Sequence, residues 1–397
     1  MQISVIIGER MANMENKKRI LIRSSWQSVN IGDIGHTPGM LEILRRNRPD
    51  LKLTLWPCDV GHGVKAMLQR EFPDVAIIEG DSKSPALQAA FAEHDFMLNG
   101  SGPSVVCAND LQEWRRITGK PYGIFGVTIE HLTPELKDLL DNAGFIYCRD
   151  TVSVNFIRNA QVKCPVIEFG PDATFAINLR DDCAAAAFLN KHNLTPDGFV
   201  CVIPRLRYTP YYKIHNYAPS DEDLRRNEVS SEFAEPDHAK LRDAIINILD
   251  NTSMKILICA EMTYEVKLGK ELIYDRLPDK YLSRIIWRDS YWRPDEAASV
   301  YAAAALIVSF EMHSPIIALA AGTPAIYLRQ PTDTCKGQMW RDIGLSEWIF
   351  EIEDTNGDKI AEQAVNIINN LPAANNLAMR TLEYARKLQN DAFKIHP

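Results

Sequence analysis

The sequence predicts an α/β protein built from two Rossmann-like parallel-sheet domains in series that face a central cleft. Short apolar runs alternate with helical stretches along the chain, the signature of parallel strands joined by crossover helices. The alternation restarts after a break between 172 and 197, and 397 residues exceed what a single core usually serves. The division follows as 19–180 for the first domain and 181–375 for the second. An extension over 1–18 precedes them, and a last segment over 376–397 is expected to cross back onto the first domain.

In the first half, strands are expected at 19–24, 51–56, 75–78, 96–98, 122–127, 145–148 and 166–169. Helices are expected between them at 40–46, 64–71, 85–93, 110–118 and 134–142. The second half repeats the rhythm, with strands at 199–203, 255–260, 285–288, 306–309, 325–328 and 348–352. Its helices fall at 237–251, 265–275, 294–304, 314–321 and 358–370, and 377–393 carries apolar residues at helical spacing. The stretch between Arg205 and Asp237 is polar and rich in tyrosine, far longer than a connection of about 2 to 6 residues. It reads as a lid, a sugar-facing wall, or a loop that is disordered or contacts another subunit.

Composition narrows the class. No apolar run approaches the roughly 20 residues of a membrane span, and the first residues lack the cationic leader and long apolar core of a secretory signal. The eight cysteines are scattered without a Cys-x-x-Cys pair, so they read as buried thiols of a cytoplasmic protein rather than a disulfide frame or zinc site. A net charge of -8 without a long basic block argues against nucleic acid as a partner. Gly-x-Gly-x-x-Gly, Walker A, Gly-x-Ser-x-Gly and His-Glu-x-x-His patterns are missing from the sequence, and no metal-ligand spacing stands out.

The most informative stretch runs from Ala305 to Pro324. An apolar strand ends at Ser309, Glu311 and His313 follow in a loop, and Ser314-Pro315 reads as the cap and first position of a helix. A positive helix end, a carboxylate and an imidazole then converge, which suits an anionic substrate or proton transfer. A satisfied loop histidine beside a capped helix is the plainer alternative. The first half echoes the pattern: after the strand at 19–24 come Asn30-Ile31-Gly32-Asp33, then His36-Thr37-Pro38 and a helical run. Ligands of open parallel sheets bind beyond the carboxyl ends of strands, so both histidine loops should face one cleft. Asn99 to Ser104 contains Gly100-Ser101-Gly102, where backbone amides could approach an anion or simply make a tight turn.

These pieces resemble the polysaccharide pyruvyl transferases, whose architecture is similar to that of GT-B glycosyltransferases. The resemblance rests on Asn30-Ile31-Gly32-Asp33, Asn99 to Gly102, Cys148-Arg149-Asp150 with Ser153, Gly170-Pro171-Asp172, and the block holding Ser309, His313, Gly322 and Pro324, with Lys336 beyond it. It implies transfer of the enolpyruvyl group of phosphoenolpyruvate to a sugar as a cyclic ketal, with release of phosphate. The donor is then a substrate and no cofactor is implied. His313 would serve proton transfer with Glu311 beside it. Asn30, Asp33, His36, Gly100, Ser101, Gly102, Arg205, Arg207 and Lys336 would contact substrate. The expected partner is a sugar or glycan precursor, free or carried on a lipid or nucleotide, and a homo-oligomer is compatible.

One position departs from the family pattern Ser-x-Arg-x-His, because Glu311 stands where the arginine belongs. Reversing a unit charge about 4 Å from an anion changes the interaction by several kcal/mol at a surface-like dielectric. Either another cation holds the donor, with Arg205, Arg207, Arg288 and Arg329 available just past second-domain strands, or Glu311 binds a hydroxyl or cation and the donor differs, or Glu311 is protonated or salt-bridged and structural. The alternatives are a GT-B-like sugar-nucleotide transferase or epimerase, or a noncatalytic sugar-binding relative. Asp150 has a structural alternative too, as the cap of the helix that starts at Thr151, and Pro171-Asp172 reads as shaping the crossing between domains.

Overall fold

A computed structural model describes residues 17–395, so most of the extension expected over 1–18 lies outside the described residues. Two wholly parallel sheets form. The first contains β1 (Arg19–Ser24), β2 (Lys52–Pro57), β3 (Ala76–Ile77), β4 (Phe96–Asn99), β5 (Tyr122–Val127), β6 (Ile146–Cys148) and β7 (Ile167–Phe169), in the order β3-β2-β1-β4-β5-β6-β7. The second contains β8 (Phe199–Ile203), β9 (Lys255–Ile258), β10 (Ile285–Trp287), β11 (Leu306–Ser309), β12 (Ala325–Arg329) and β13 (Ile349–Glu351), in the order β10-β9-β8-β11-β12-β13.

Each sheet reverses its winding direction once, between β1 and β4 in the first and between β8 and β11 in the second. The loops leaving those four strands diverge and open a crevice, which is where an open parallel sheet binds its ligand. Strand periodicity sets the core. Ile20, Ile22, Phe96, Leu98, Phe125 and Phe145 face one side of the first sheet and join a cluster that continues through the second half, while Leu21, Met97, Ile124 and Ile146 face the other.

Helix starts differ from expectation more than strand ends do. The helix after β1 runs over Ile31–Asn47, not from Pro38, and its cap is Asn30, whose side chain accepts from the amides of Gly32 and Asp33. Pro38 lies inside it, at the cost of one backbone bond. Burial compensates: the helix packs so closely on the 173–176 turn that a Cβ on Gly39 would lie 2.1 Å from the Ala173 carbonyl oxygen. The helix after β11 covers His313–Ala320, with Ser314 inside it and no side-chain cap from its own chain segment. Finally, the stretch after Arg205 is ordered, as a short Tyr211–Ile214 helix and then a long Asp221–Asn251 helix. Ser220 and Asp223 form a reciprocal capping box at the start of the long helix, and Pro236 is absorbed within it.

The last helix, Leu371–Ile395, lies against both halves. Phe393 packs on Phe125 at 5.0 Å and on Phe145 at 6.2 Å between ring centroids, and Arg386 donates to the carbonyls of Phe175 and Ala320. No described helix is long and apolar enough to cross a membrane. The cysteines are less uniform than expected: Cys148, Cys164, Cys201 and Cys259 are buried, but Cys58 and Cys183 are exposed and Cys107 and Cys335 half-buried.

Candidate active site

The switch-point loops meet in a cleft of about 160 Å³ lined by Asn30, Asp33, Pro103, Arg149, Arg205, Tyr211, Glu311, His313, Asp333 and Lys336, among others. Backbone hydrogen bonds join the halves beneath it: Ile31 donates to the Glu261 carbonyl at 3.0 Å and Thr263 to the Val29 carbonyl at 3.0 Å. The first-half helix can approach because of Gly32, where a Cβ would lie 2.2 Å from His313 Cγ.

His313 is 5% exposed and carries the densest set of polar contacts. Its Nδ1 lies 3.3 Å from Glu261 Oε1, and the other oxygen of that carboxylate accepts from the Ser314 amide at 2.5 Å. Glu261 therefore does for this helix what a local cap usually does, while orienting the imidazole. On the opposite edge, His313 Nε2 is 3.1 Å from His36 Nε2 and 3.8 Å from Asp172 Oδ2. Asp172 is 3.3 Å from His36 Nε2 and accepts from Arg149 Nη1 at 2.8 Å. Burial works against a charged imidazole, but Asp172 and Glu261 outweigh it and raise the His313 pKa to about 9. Burial likewise opposes ionisation of Asp172, yet His36, His313 and Arg149 hold its carboxyl well below the usual range. The two carboxylates thus favour the imidazolium form of His313 on the wall of the cleft.

The second cluster surrounds Glu311. Arg205 Nε lies 2.9 Å from Glu311 Oε1, and Arg205 also pairs with Asp333, which accepts from Tyr327 at 2.7 Å. Burial pushes the Glu311 carboxyl up; Arg205 pulls it back, and nearby Glu261 pushes it further up. Burial, together with the neighbouring carboxylates of Glu311 and Glu261, raises Glu265 well above the ordinary glutamate value. Lys336 Nζ stands 4.0 Å from Asp333, the longest of these contacts, and is the cation least committed to a carboxylate.

The structure brings Asn30, Asp33, Arg205, Glu311, His313 and Lys336 together and leaves the other expected site residues outside the cleft lining. His36 is fully buried behind His313 and so bears on the site through that ring. Arg207 is held between Asp237 at 2.9 Å and Glu353 at 2.8 Å, stacked over Phe233. The amides of Gly100 and Gly102 donate to the carbonyls of Arg23 and Gly126, and Ser101 is buried with its Oγ accepting from the Ala173 amide at 2.9 Å. The Gly100 and Gly102 amides are thus already paired within the protein. Arg288 and Arg329 pair with Glu296 and Glu351, so Arg205 alone of the four alternative cations reaches the cleft. Asp150 does cap the Thr151–Asn159 helix, accepting from the Ser153 amide at 2.7 Å.

Glu261, Asp172 and Arg149 gain a place that sequence reasoning did not give them. The signal for Glu261 was position alone, a carboxylate just beyond β9 at the edge of the crevice. Asp33, His36 and His313 offer ligand atoms within 4.8 Å of one another, a possible metal grouping that the spacing did not suggest. His36 turns Nδ1 toward Asp33 and Nε2 toward His313, opposite edges of one ring.

A family model for polysaccharide pyruvyl transferase matches residues 30–330. The chain belongs to that family. No curated protein matches the chain. Among solved structures, this family member is similar to a putative UDP-N-acetylglucosamine 2-epimerase from Listeria monocytogenes (TM-score 0.61, 12% identity, 94% of each chain covered). It is also similar to S. aureus MnaA bound to UDP (TM-score 0.59, 10% identity, 93% of this chain and 94% of that one). E. coli ADP-heptose LPS heptosyltransferase II superposes with TM-score 0.52 and 12% identity, over 89% of this chain and 99% of the other. At such identities the likeness establishes the GT-B-like fold of the pyruvyl transferase relative, with its two parallel sheets.

Proposed function

We propose that the protein transfers a pyruvyl group from phosphoenolpyruvate to a sugar or glycan precursor as a ketal, in the cleft between the two sheets. The observation that carries this reading is His313, a cleft-wall imidazole kept protonated near neutral pH by two buried carboxylates. Ketal formation begins when the methylene carbon of the donor takes a proton, which makes the adjacent carbon electrophilic. A sugar hydroxyl adds there, phosphate leaves, and a second hydroxyl of the same sugar closes the ring. His313 supplies the first proton and is reprotonated from the hydroxyls, with Glu261 and Asp172 stabilising the imidazolium before and after.

Lys336 is the cation least committed within the cleft and the one open to the donor's carboxylate or phosphate; Arg149 also lines the cleft but is paired with Asp172. Arg205 is engaged by Glu311 and Asp333, so Glu311 sets how much positive charge the pocket can offer. A titration of the purified protein with phosphoenolpyruvate, beside a panel of nucleotide sugars and followed by thermal shift and calorimetry, tests the reading. Ligand bound only to the native state stabilises it in proportion to ln(1 + [L]/Kd). The expected result is a saturable shift with phosphoenolpyruvate that is lost in Lys336→Ala, with phosphate release abolished in His313→Ala. A shift with nucleotide sugars alone would replace this donor with a sugar nucleotide.

A further inference from the structure

We infer that Cys58 and Cys107 form a reversible dithiol/disulfide site that takes a low-molecular-weight disulfide as its oxidant. Their Sγ atoms are 3.1 Å apart although 49 residues separate them in sequence, within about 1 Å of the 2.05 Å of a bonded pair. Cys58 is exposed just past β2 and Cys107 is half-buried at the start of the Ala108–Thr118 helix, so the pair is open to a small reagent. Both backbones are fixed. The Cys58 amide donates to the carbonyls of Ser24 and Ser25, while Cys107 sits at φ 58° with its carbonyl accepting from Asp110. Little conformational freedom remains to be lost on bonding.

The two thiols are not equivalent. Either sulfur can donate across the contact, and the contact with Cys58 lowers the Cys107 pKa; burial opposes this and the Arg23 guanidinium supports it. The same contact, together with burial, raises the Cys58 pKa. Cys107 also stands at the N-terminus of the Ala108–Thr118 helix, a position that favours a thiolate, which makes it the attacking sulfur. Its thiolate attacks one sulfur of the oxidant and expels a small thiolate, which takes the proton of Cys58. The Cys58 thiolate then attacks Cys107 in the mixed disulfide and expels the second small thiolate. The protein loses two electrons and the oxidant gains them.

The bond would tie together two segments that border the first switch point. Asp59, next to Cys58, accepts from the amide and hydroxyl of Ser28, two residues before the helix cap Asn30. The loop that ends at Cys107 contributes Pro103 to the catalytic cleft. Cys58 also lines a separate cleft of about 740 Å³, with Arg23, Asp59, Lys65 and Asp110 among others, which brings an oxidant up to the pair.

The test equilibrates the full-length protein with oxidised and reduced glutathione at graded ratios, then traps free thiols by alkylation and maps peptides by mass spectrometry. The expected product is a Cys58–Cys107 cross-link, formed with loss of two free thiols and reversed by excess reduced glutathione. Cys58→Ser should convert it into a stable glutathione adduct on Cys107. A wild-type protein that carries only mixed adducts, or that links other cysteines, would overturn the assignment. The wild-type map decides the matter even if the variant folds poorly.

Discussion

The two histidine-bearing loops carry the same sequence signature and start their helices by different means. After β1 the helix is capped from within its own segment, by Asn30 two and three residues ahead of the amides it accepts from. After β11 the cap comes from Glu261, 53 residues away, on the loop beyond β9. A local cap does one thing, whereas the borrowed one also reaches His313 Nδ1 and sets the charge of the imidazole. A strand-loop-helix element can therefore be structural or chemical depending on where its terminal donors find partners.

Breaking the borrowed cap should have the largest effect. Glu261→Ala leaves a helix end uncapped and removes one partner of a buried charged pair, so we expect a loss of about 3–5 kcal/mol in urea unfolding. Gly32→Ala probes how tightly the two loops meet: a methyl group driven into His313 should cost about 1–3 kcal/mol as overpacking, and phosphate release should fall with it. Asn30→Ala removes only the local cap, for about 1 kcal/mol, and should leave the pH dependence unchanged.

The pH profile sharpens the contrast. The His313 pKa is raised from 6.5 to about 9, so its contribution to stability is fully present below 6.5 and is lost as pH rises through about 9. Asp172 acts in the opposite range: its contribution is present above the ordinary aspartate value and fades as pH falls below it. In Glu261→Gln the alkaline loss should move to lower pH, as read by urea midpoints across pH 6 to 10. A profile that does not move would mean that Asp172 alone holds the proton on His313.

Much of the fold was legible because parallel strands are read from apolar runs, and each of the thirteen strands falls on an expected stretch, with ends shifted by a residue or two. Helix starts were harder. Gly32 and Gly35 disguise the first turns of the Ile31–Asn47 helix, where burial rather than propensity holds the backbone. Pro236 hides half of the Asp221–Asn251 helix in the same way, although Ser220 and Asp223 announce its true beginning. At the site, the residues that line the cleft next to the quoted motifs were legible. Glu261 was not, since a lone carboxylate beyond a strand has no periodicity and acquires meaning only from the neighbour it meets. Gly100 to Gly102 is the converse case, because a glycine-rich turn looks the same whether its amides are free or, as those of Gly100 and Gly102 are, paired within the protein.

The return of the Leu371–Ile395 helix has a consequence for the order of synthesis. Phe393 completes a face of the first sheet between Phe125 and Phe145, and Gln389 donates to the Asp172 carbonyl at 2.7 Å. The first sheet therefore cannot finish this face until the Leu371–Ile395 helix has been synthesised, and in the nascent chain those rings wait uncovered.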